Sequence, residues 1–584
     1  MTSTILRRIP VGIGIALCAV AIAACGSDDG DDDSGGGFAS GLPVEGAKKG
    51  GTLKVVSASD VDQIDPGQAY YQLTYLVTSA TQTPLYAYKP EDPETPVPLL
   101  AESDPRVSPD GRTVTVKIRS GFRFSPPVDR AVTSKDVKYA LTRGFFPSVA
   151  NQYVQNYLGA LEGTGPVVEG DTRELSGIQT PDDRTLVLRF TTDIGATAAQ
   201  ALVLPASAPV PEEYARRFDA KKQSDYGFNQ VATGPYMIRN DAQGKAVGYQ
   251  PGRRIELVRN PSWPGAESGD FRPAYVDRVD WTIGGNPTVI GRQVLNGRDM
   301  INGDTVPAPI VKQAATRSKE QITFTPLGNR FIPLNMSEPP FDDVNVRKAV
   351  AAAIDRTRLQ LVRGGKLTGK VATHFLPPGS PGFEAAGGLE GSGHDFLAKP
   401  EGDMQLAAEY LRKAGFSNGR YSGPAISMVG TEDDPGSQVV LDQFRRLGFR
   451  VNYRSLSQEA MFGACAFPAR KVDVCPNYGW LPDFNDGYAY LYGTFNGKAI
   501  APQQNSNWSQ LNDPRINAAM DRAARITDPE ERAEAWGRID DQITAAAAAV
   551  PTYWDDVPNV QSRNVRGVIA RWNGAWDLSF TSLE

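Results

Sequence analysis

Ala425 to Tyr453, AISMVGTEDDPGSQVVLDQFRRLGFRVNY, decides the fold class of this chain. Ala425 to Val429 is an apolar run suited to a buried strand. Val439 to Leu447 carries apolar residues at helical spacing, and Gly448 ends it. Phe449 to Tyr453 is strand-like again. Strand, helix and strand in that order imply a parallel sheet unit, so this part of the chain is predicted to be an α/β lobe. Upstream, Asp343 precedes Val344 to Arg356, where Val346, Ala349, Val350, Ala353 and Ile354 recur at helical spacing. Met404 to Ala414 repeats the design and Gly415 ends it. Downstream, Ile516 to Ala548 reads as helix and Pro551 to Val568 as short strands.

Inside this lobe lies CPNYGWLPDFNDGYAYLY, Cys475 to Tyr492, which sets Tyr478, Trp480, Phe484, Tyr488, Tyr490 and Tyr492 around Asp483 and Asp486. Aromatic walls supply contact area and a fixed carboxylate supplies orientation, the combination a small-molecule pocket needs. The alternative is a surface turn in which Asp483 bonds a nearby backbone N–H.

The first half of the chain is richer in strand patterns. Thr52 to Ser57 suits a strand, and Asp65-Pro66-Gly67 turns the chain into Gln68-Ala69-Tyr70-Tyr71-Gln72. Leu73, Leu76 and Val77 then suit a helix. Thr113 to Ile118 alternates after the turn Ser108-Pro109-Asp110-Gly111, and Thr185 to Phe190 reads as another strand. Thr133 stands three residues before Asp136 and caps a predicted helix through Arg143. Val279, Trp281 and Ile283 share one strand face. Phe324 to Asn335 looks like buried strand.

At 584 residues the chain exceeds what one core supports, so at least two lobes are expected. Arg7, Arg8 and the apolar run Ile9 to Ala24 read as an export signal, too short and too rich in Gly and Ala for a comfortable membrane span. Ile22-Ala23-Ala24-Cys25-Gly26 resembles the lipobox of bacterial lipoproteins, which implies an acylated Cys25 of the palmitate-bearing kind on the outer face of the cell membrane. Ordinary cleavage near Ala24 is the alternative. Gly26 to Gly51, rich in Asp, Gly and Ser, reads as a flexible tether. Loss of Arg7 and Arg8 leaves 59 basic against 67 acidic residues, a net charge of −8. No basic cluster interleaved with aromatics appears, which argues against nucleic acid. With Cys18 in the leader and Cys25 at the lipid site, Cys465 and Cys475 are the remaining pair. A local disulfide is expected in an oxidising compartment, with two unrelated buried thiols as the alternative. The only histidines, His374 and His394, lie in Gly/Pro-rich loops and are expected to be exposed and without function. The chain has no Ser-x-x-Lys or His-Glu-x-x-His, and no enzyme activity, metal or cofactor is expected.

Several segments together resemble the extracellular solute-binding proteins of ABC importers, the large oligopeptide- and dipeptide-binding family (family 5). They are Pro98-Leu99-Leu100-Ala101-Glu102-Ser103 with Ser108 to Gly111, Thr133 to Val137, and Thr233-Gly234-Pro235-Tyr236. Asn260-Pro261-Ser262-Trp263, Pro340 to Arg347 with Ile354-Asp355-Arg356, and Gly479-Trp480-Leu481-Pro482-Asp483 complete the set. The resemblance implies a mixed α/β, two-lobed clamp of the periplasmic-binding-protein type (type II) with an added β-rich domain. Residues 1–25 would be the lipoprotein signal, 26–49 the tether, and 50–82, 209–325 and 546–584 domain I. Domain II would be 83–208 and domain III, the α/β lobe, 326–545. It further implies that Asp483 pairs with a ligand α-ammonium, that Trp480, Gly479, Tyr478, Pro482 and Phe484 line the site, and that Tyr70, Tyr71 and Gln72 line it from the early turn. The partners implied are a peptide, the permease and ATPase subunits of an importer, and the membrane through the lipid; the protein itself would be a monomer. One departure is Asp486-Gly487, where peptide binders of the family often carry an acidic residue followed by Pro. Family membership leaves other readings open: a sugar, an opine or a haem or metal complex as solute, a surface sensor or adhesion module, and, least favoured, a secreted hydrolase.

Overall fold

Residues 425–453 form the unit their pattern predicts. In the computed structural model, which describes residues 46–584 except 70–71, 91, 152, 305, 433, 503–504 and 570–573, the strands Ile426–Thr431 and Val451–Leu456 pair in parallel, Ile426 opposite Val451 and Thr431 opposite Leu456. The helix between them starts earlier than its apolar residues, at Pro435, because Asp434 accepts hydrogen bonds from Gly436 N and Ser437 N and proline suits the first helical position. Gly448 ends it at φ 103°, a left-handed conformation that a side chain would strain.

Helices Val344–Ala353 and Met404–Lys413 pack on this unit in one apolar core with Met428, Phe444 and Phe449. The first is shorter than predicted. Ile354 turns extended, and Asp355 then caps a separate helix, Arg356–Arg363, by accepting from Arg358 N. The predicted helix over Ile516 to Ala548 is likewise two, Pro514–Ala523 and Pro529–Ala545, since Asp528 caps and Pro529 opens the second.

Two twelve-residue strands, Ile322–Pro333 and Ala549–Val560, pair antiparallel from Ile322 opposite Val560 to Pro333 opposite Ala549. The second replaces the predicted short strands. The ladder shifts register at Pro326 to Gly328, where proline cannot donate a ladder bond, and again between Arg330 and Phe331. Gly369–Val371 flanks one side of the pair and Tyr478–Trp480 the other. A second sheet runs Met300–Asn302, Thr52–Ser57, Arg278–Ile283, Arg254–Arg259 and Tyr236–Ile238, with Leu53, Val55, Val279 and Trp281 buried on it. A third joins Arg106–Val107, Thr113–Lys117, Thr185–Arg189 and Ile178–Asp182. Its apolar face shares a core with the helix Ser134–Arg143, where Asp136 Oδ2 accepts from Thr133 N at 2.8 Å. Phe484 and Ala489, far away in sequence, complete this same core.

Candidate ligand-binding site

Tyr478–Trp480 is an edge strand: one side pairs with Asn329, Arg330 and Phe331, and the other side has no partner strand among the described residues. Asn329 holds it in place. Its Oδ1 accepts from Trp480 N at 3.2 Å while its Nδ2 donates to Phe375 O at 2.6 Å, so one buried amide ties the strand to the loop behind it. Gly479 has a steric reason, because a Cβ there would stand 2.6 Å from Arg330 Cδ and 2.7 Å from Asn329 O. Tyr478 turns inward, its ring stacked on Trp508 at 3.8 Å and its hydroxyl donating to Ser506 O. Trp480 stays partly exposed and donates Nε1–H to Ala489 O at 2.7 Å.

Beyond the strand the chain crosses to the other core. Pro482 is buried, and Phe484, fully buried, meets the ring of Tyr157 edge-on at 5.0 Å. Asn485 N donates to the Tyr88 hydroxyl at 3.0 Å. Asp483 stands between these anchors, and Tyr157 donates its hydroxyl to Asp483 Oδ2. Among the described residues no backbone N–H contacts this carboxylate, unlike the alternative in which Asp483 bonds a nearby N–H in a surface turn, and no cationic side chain pairs with it. The residue keeps some exposed surface, yet packing around the carboxyl removes its water. That desolvation pushes its pKa up to about 7, opposed by the Tyr157 hydrogen bond. A carboxylate so placed is short of positive charge.

Asp486 has the opposite surroundings. It accepts from Tyr488 N at 2.7 Å as the cap of helix Gly487–Phe495, and Arg532 reaches it with Nε at 2.5 Å and Nη2 at 3.0 Å, both side chains being buried. Its role is to hold the loop.

Of the early segment, Tyr70 and Tyr71 lie outside the described residues, as does Cys25. Gln72 opens the helix Gln72–Thr81. The turn before them is anchored in depth. Arg143 donates to both oxygens of Asp65, at 2.8 and 2.7 Å, and to both of Asp219, at 2.8 and 2.7 Å, and all three side chains are fully buried. Cys465 and Cys475 form a disulfide beside the site. His374 is not exposed. It is buried with Nδ1 at 2.9 Å from Asp540 Oδ2 and Nε2 at 3.0 Å from Gly388 O, because Asp540 also collects Phe375 N and Leu376 N and draws the loop inward. Sequence reading missed Tyr157, Tyr88, Asn329 and Arg532. Each acts across hundreds or dozens of positions, Tyr157 and Asp483 being 326 apart, so no local pattern marks them. Among the described residues no group of three or more His, Cys, Asp or Glu gathers to hold a metal, and no helix is long and apolar enough to cross a membrane.

Comparison with known proteins bears on the family and the fold. The family model described as bacterial extracellular solute-binding proteins, family 5 Middle, matches residues 95–502. The periplasmic oligopeptide-binding protein OppA of Escherichia coli (strain K12) is 22% identical over 494 residues, 83% of each chain. Heme-binding protein A of Haemophilus influenzae is 24% identical over 456 residues, 75% of each chain. Among solved structures, clavulanic acid biosynthesis oligopeptide binding protein 2 superposes with a TM-score of 0.81 at 27% identity, over 94% of this chain and 99% of that one.

Proposed function

The chain belongs to the bacterial extracellular solute-binding proteins of family 5, and from that premise we propose that it captures peptides for an ABC importer, gripping the ligand's ammonium with Asp483. The observation that carries this reading is the carboxylate itself, largely desolvated, bonded by one hydroxyl and without a cation among the described residues. Burying a charge without a partner is costly, so such a group favours a site that a cation completes. The strand Tyr478–Trp480 supports the reading as well. Its unpaired edge offers backbone groups to an extended peptide, the mode in which main-chain bonds give affinity without demanding particular side chains. Names such as oligopeptide-binding protein among its relatives point the same way.

In this reading residues 50–82, 209–325 and 546–584 form one lobe, 326–545 the other, and 83–208 an added domain, with the long strands Ile322–Pro333 and Ala549–Val560 as the crossing between lobes. Cys25 carries the lipid that keeps the monomer on the outer face of the membrane, and the importer's permease receives the ligand. The protein binds without turnover. The test is thermal denaturation of the purified chain with trialanine and with N-acetyl-trialanine. The free amine raises the melting temperature, the acetylated peptide raises it far less, and both are recovered intact. Equal shifts for the two peptides, or an equal loss of both on Asp483→Ala, would remove Asp483 as the amine partner.

A further inference from the structure

In the division proposed above, the chain passes between residues 83–208 and 326–545 only by way of 209–325, so non-covalent contacts alone close the seam between those two parts. The seam is fastened at two places. On the inner side Phe484 is fully buried in the core built by residues 85–231, and Asn485 N donates to the Tyr88 hydroxyl at 3.0 Å. On the outer side Thr197, in the short helix Gly195–Gln200, donates Oγ1 to Ala524 O at 2.9 Å and accepts from Arg532 Nη2 at 3.2 Å. Thr197 and Arg532 are 1% and 4% exposed. At the rim Arg525 Nε lies 3.1 Å from Asp193 Oδ1, but both side chains are exposed and water weakens that pair. Arg532 joins the two fastenings, since its Nε and Nη2 also hold Asp486, two residues beyond Phe484.

Surfaces that part and meet again are ordinarily more polar than a domain core. Here a whole phenylalanine ring sits in the opposite core, and the hydroxyl and guanidinium across the seam are matched to each other rather than to water. Parting the seam would move Phe484 into water, which the hydrophobic effect opposes. On its other side, 83–208 is fixed to residues 65 and 219 by the fully buried Asp65–Arg143–Asp219 group, where parting would strand charges. The seam with 326–545 is therefore the one that opens.

We propose that this seam is a latch that holds the lobes shut without a ligand, and that a peptide enters only through a minor open state in which Phe484 and Thr197 have let go. This rests on the lobe division and on the peptide capture proposed above. Because the latch is made both before and after binding, it slows entry and release alike and leaves affinity nearly unchanged.

The test is hydrogen exchange of the purified full chain, read by mass spectrometry on two segments, 483–489, which holds the Asn485 amide, and the helix Pro529–Ala545. In the unmodified chain without peptide, 483–489 exchanges more slowly than an open loop and faster than the helix, through an opening smaller than global unfolding. Thr197→Val speeds exchange of 483–489 by about tenfold, the ordinary loss for one hydrogen bond to a charged group, and leaves the helix unchanged. Thr197→Ser, which keeps the hydroxyl, stays near the parent. Equal exchange of the two segments in the unmodified chain overturns the latch, since the seam would then part only on unfolding. Exchange of 483–489 as fast as an open loop overturns it from the other side, and neither comparison needs a variant to fold. No acceleration in Thr197→Val, or the same acceleration in the helix, also overturns it. Trialanine slows exchange of 483–489 further; a chain on which it has no effect loses peptide capture, while the latch is still judged by the exchange of the free chain.

Discussion

Asp483 and Asp486 stand three positions apart in one loop and do different work because of what surrounds them. Asp486 has an arginine fork and a helix N-terminus, so its charge is matched within the fold. Asp483 has only the Tyr157 hydroxyl, and desolvation, which that one bond opposes, pushes its pKa up to about 7. For the proposed pairing the consequence has a definite sign: the ammonium would pair with the ionised acid, and protons would compete with it below pH 7. Peptide affinity is expected to be about a hundredfold weaker at pH 5 than at pH 8, with little change above pH 8. Titration calorimetry across that range checks it, and a flat profile would show that Asp483 is not the titrating partner. The consequence for stability runs the other way. Because the folded pKa lies above the unfolded one, the free protein binds the extra proton between about pH 4 and 7 and loses stability as pH rises through that window. Asp483→Asn, which cannot ionise, should therefore raise the melting temperature at pH 8 and change it little at pH 5, while abolishing the preference for a free amine. The stabilised variant would be the non-binding one, as is common where a site stores an unmatched charge.

At the scale of elements, the site depends on the helix Pro529–Ala545 as much as on the strand that carries it. Asp540 on this helix fixes the His374 to Leu376 loop, whose Phe375 carbonyl takes Asn329 Nδ2, and Asn329 in turn holds Trp480. Just over two turns earlier, Arg532 holds Asp486 and also donates to the carbonyl oxygens of Ala524 and Ile526, both at 3.2 Å, closing the break between the two helices. Removing only one partner of a buried pair leaves the other charge stranded, so Arg532→Ala is expected to cost about 3–5 kcal/mol in urea denaturation, and the double change with Asp486→Asn less than the sum. A loss under about 1 kcal/mol would place the pair with surface bridges that contribute little. The local signals for these elements were clear where a cap or a stop residue sits beside an apolar repeat, as at Asp343, Asp434 and Gly448. They failed at Ile354 and Pro529, where a helix ends in mid-pattern because a second cap begins the next one.

At the scale of the molecule, residues 65–231 and 483–532 are stitched together by chemistry from both sides. Phe484 fills a core built by residues 85–231, Thr197 donates to Ala524 O at 2.9 Å and accepts from Arg532 Nη2 at 3.2 Å, and Tyr88 receives Asn485 N. Beneath them the buried Asp65–Arg143–Asp219 group joins three separated segments. Arg143→Ala would strand two carboxylates with no water, and an expected loss of about 3–5 kcal/mol in chemical denaturation checks this. A variant as stable as the parent would mean the acids are neutral or hydrated. The family and the parallel unit at 426–456 were legible in the chain because they rest on local periodicity, caps and short motifs, which act over a few residues. That Asp483 has no cation among the described residues while Asp486 has one, that Tyr157 reaches the first, that Arg330 and Arg363 crowd one carboxylate, and that His374 is buried were decided only in three dimensions. Charge balance and desolvation depend on which distant side chains the fold brings within a few ångströms, and no spacing along the chain encodes that distance.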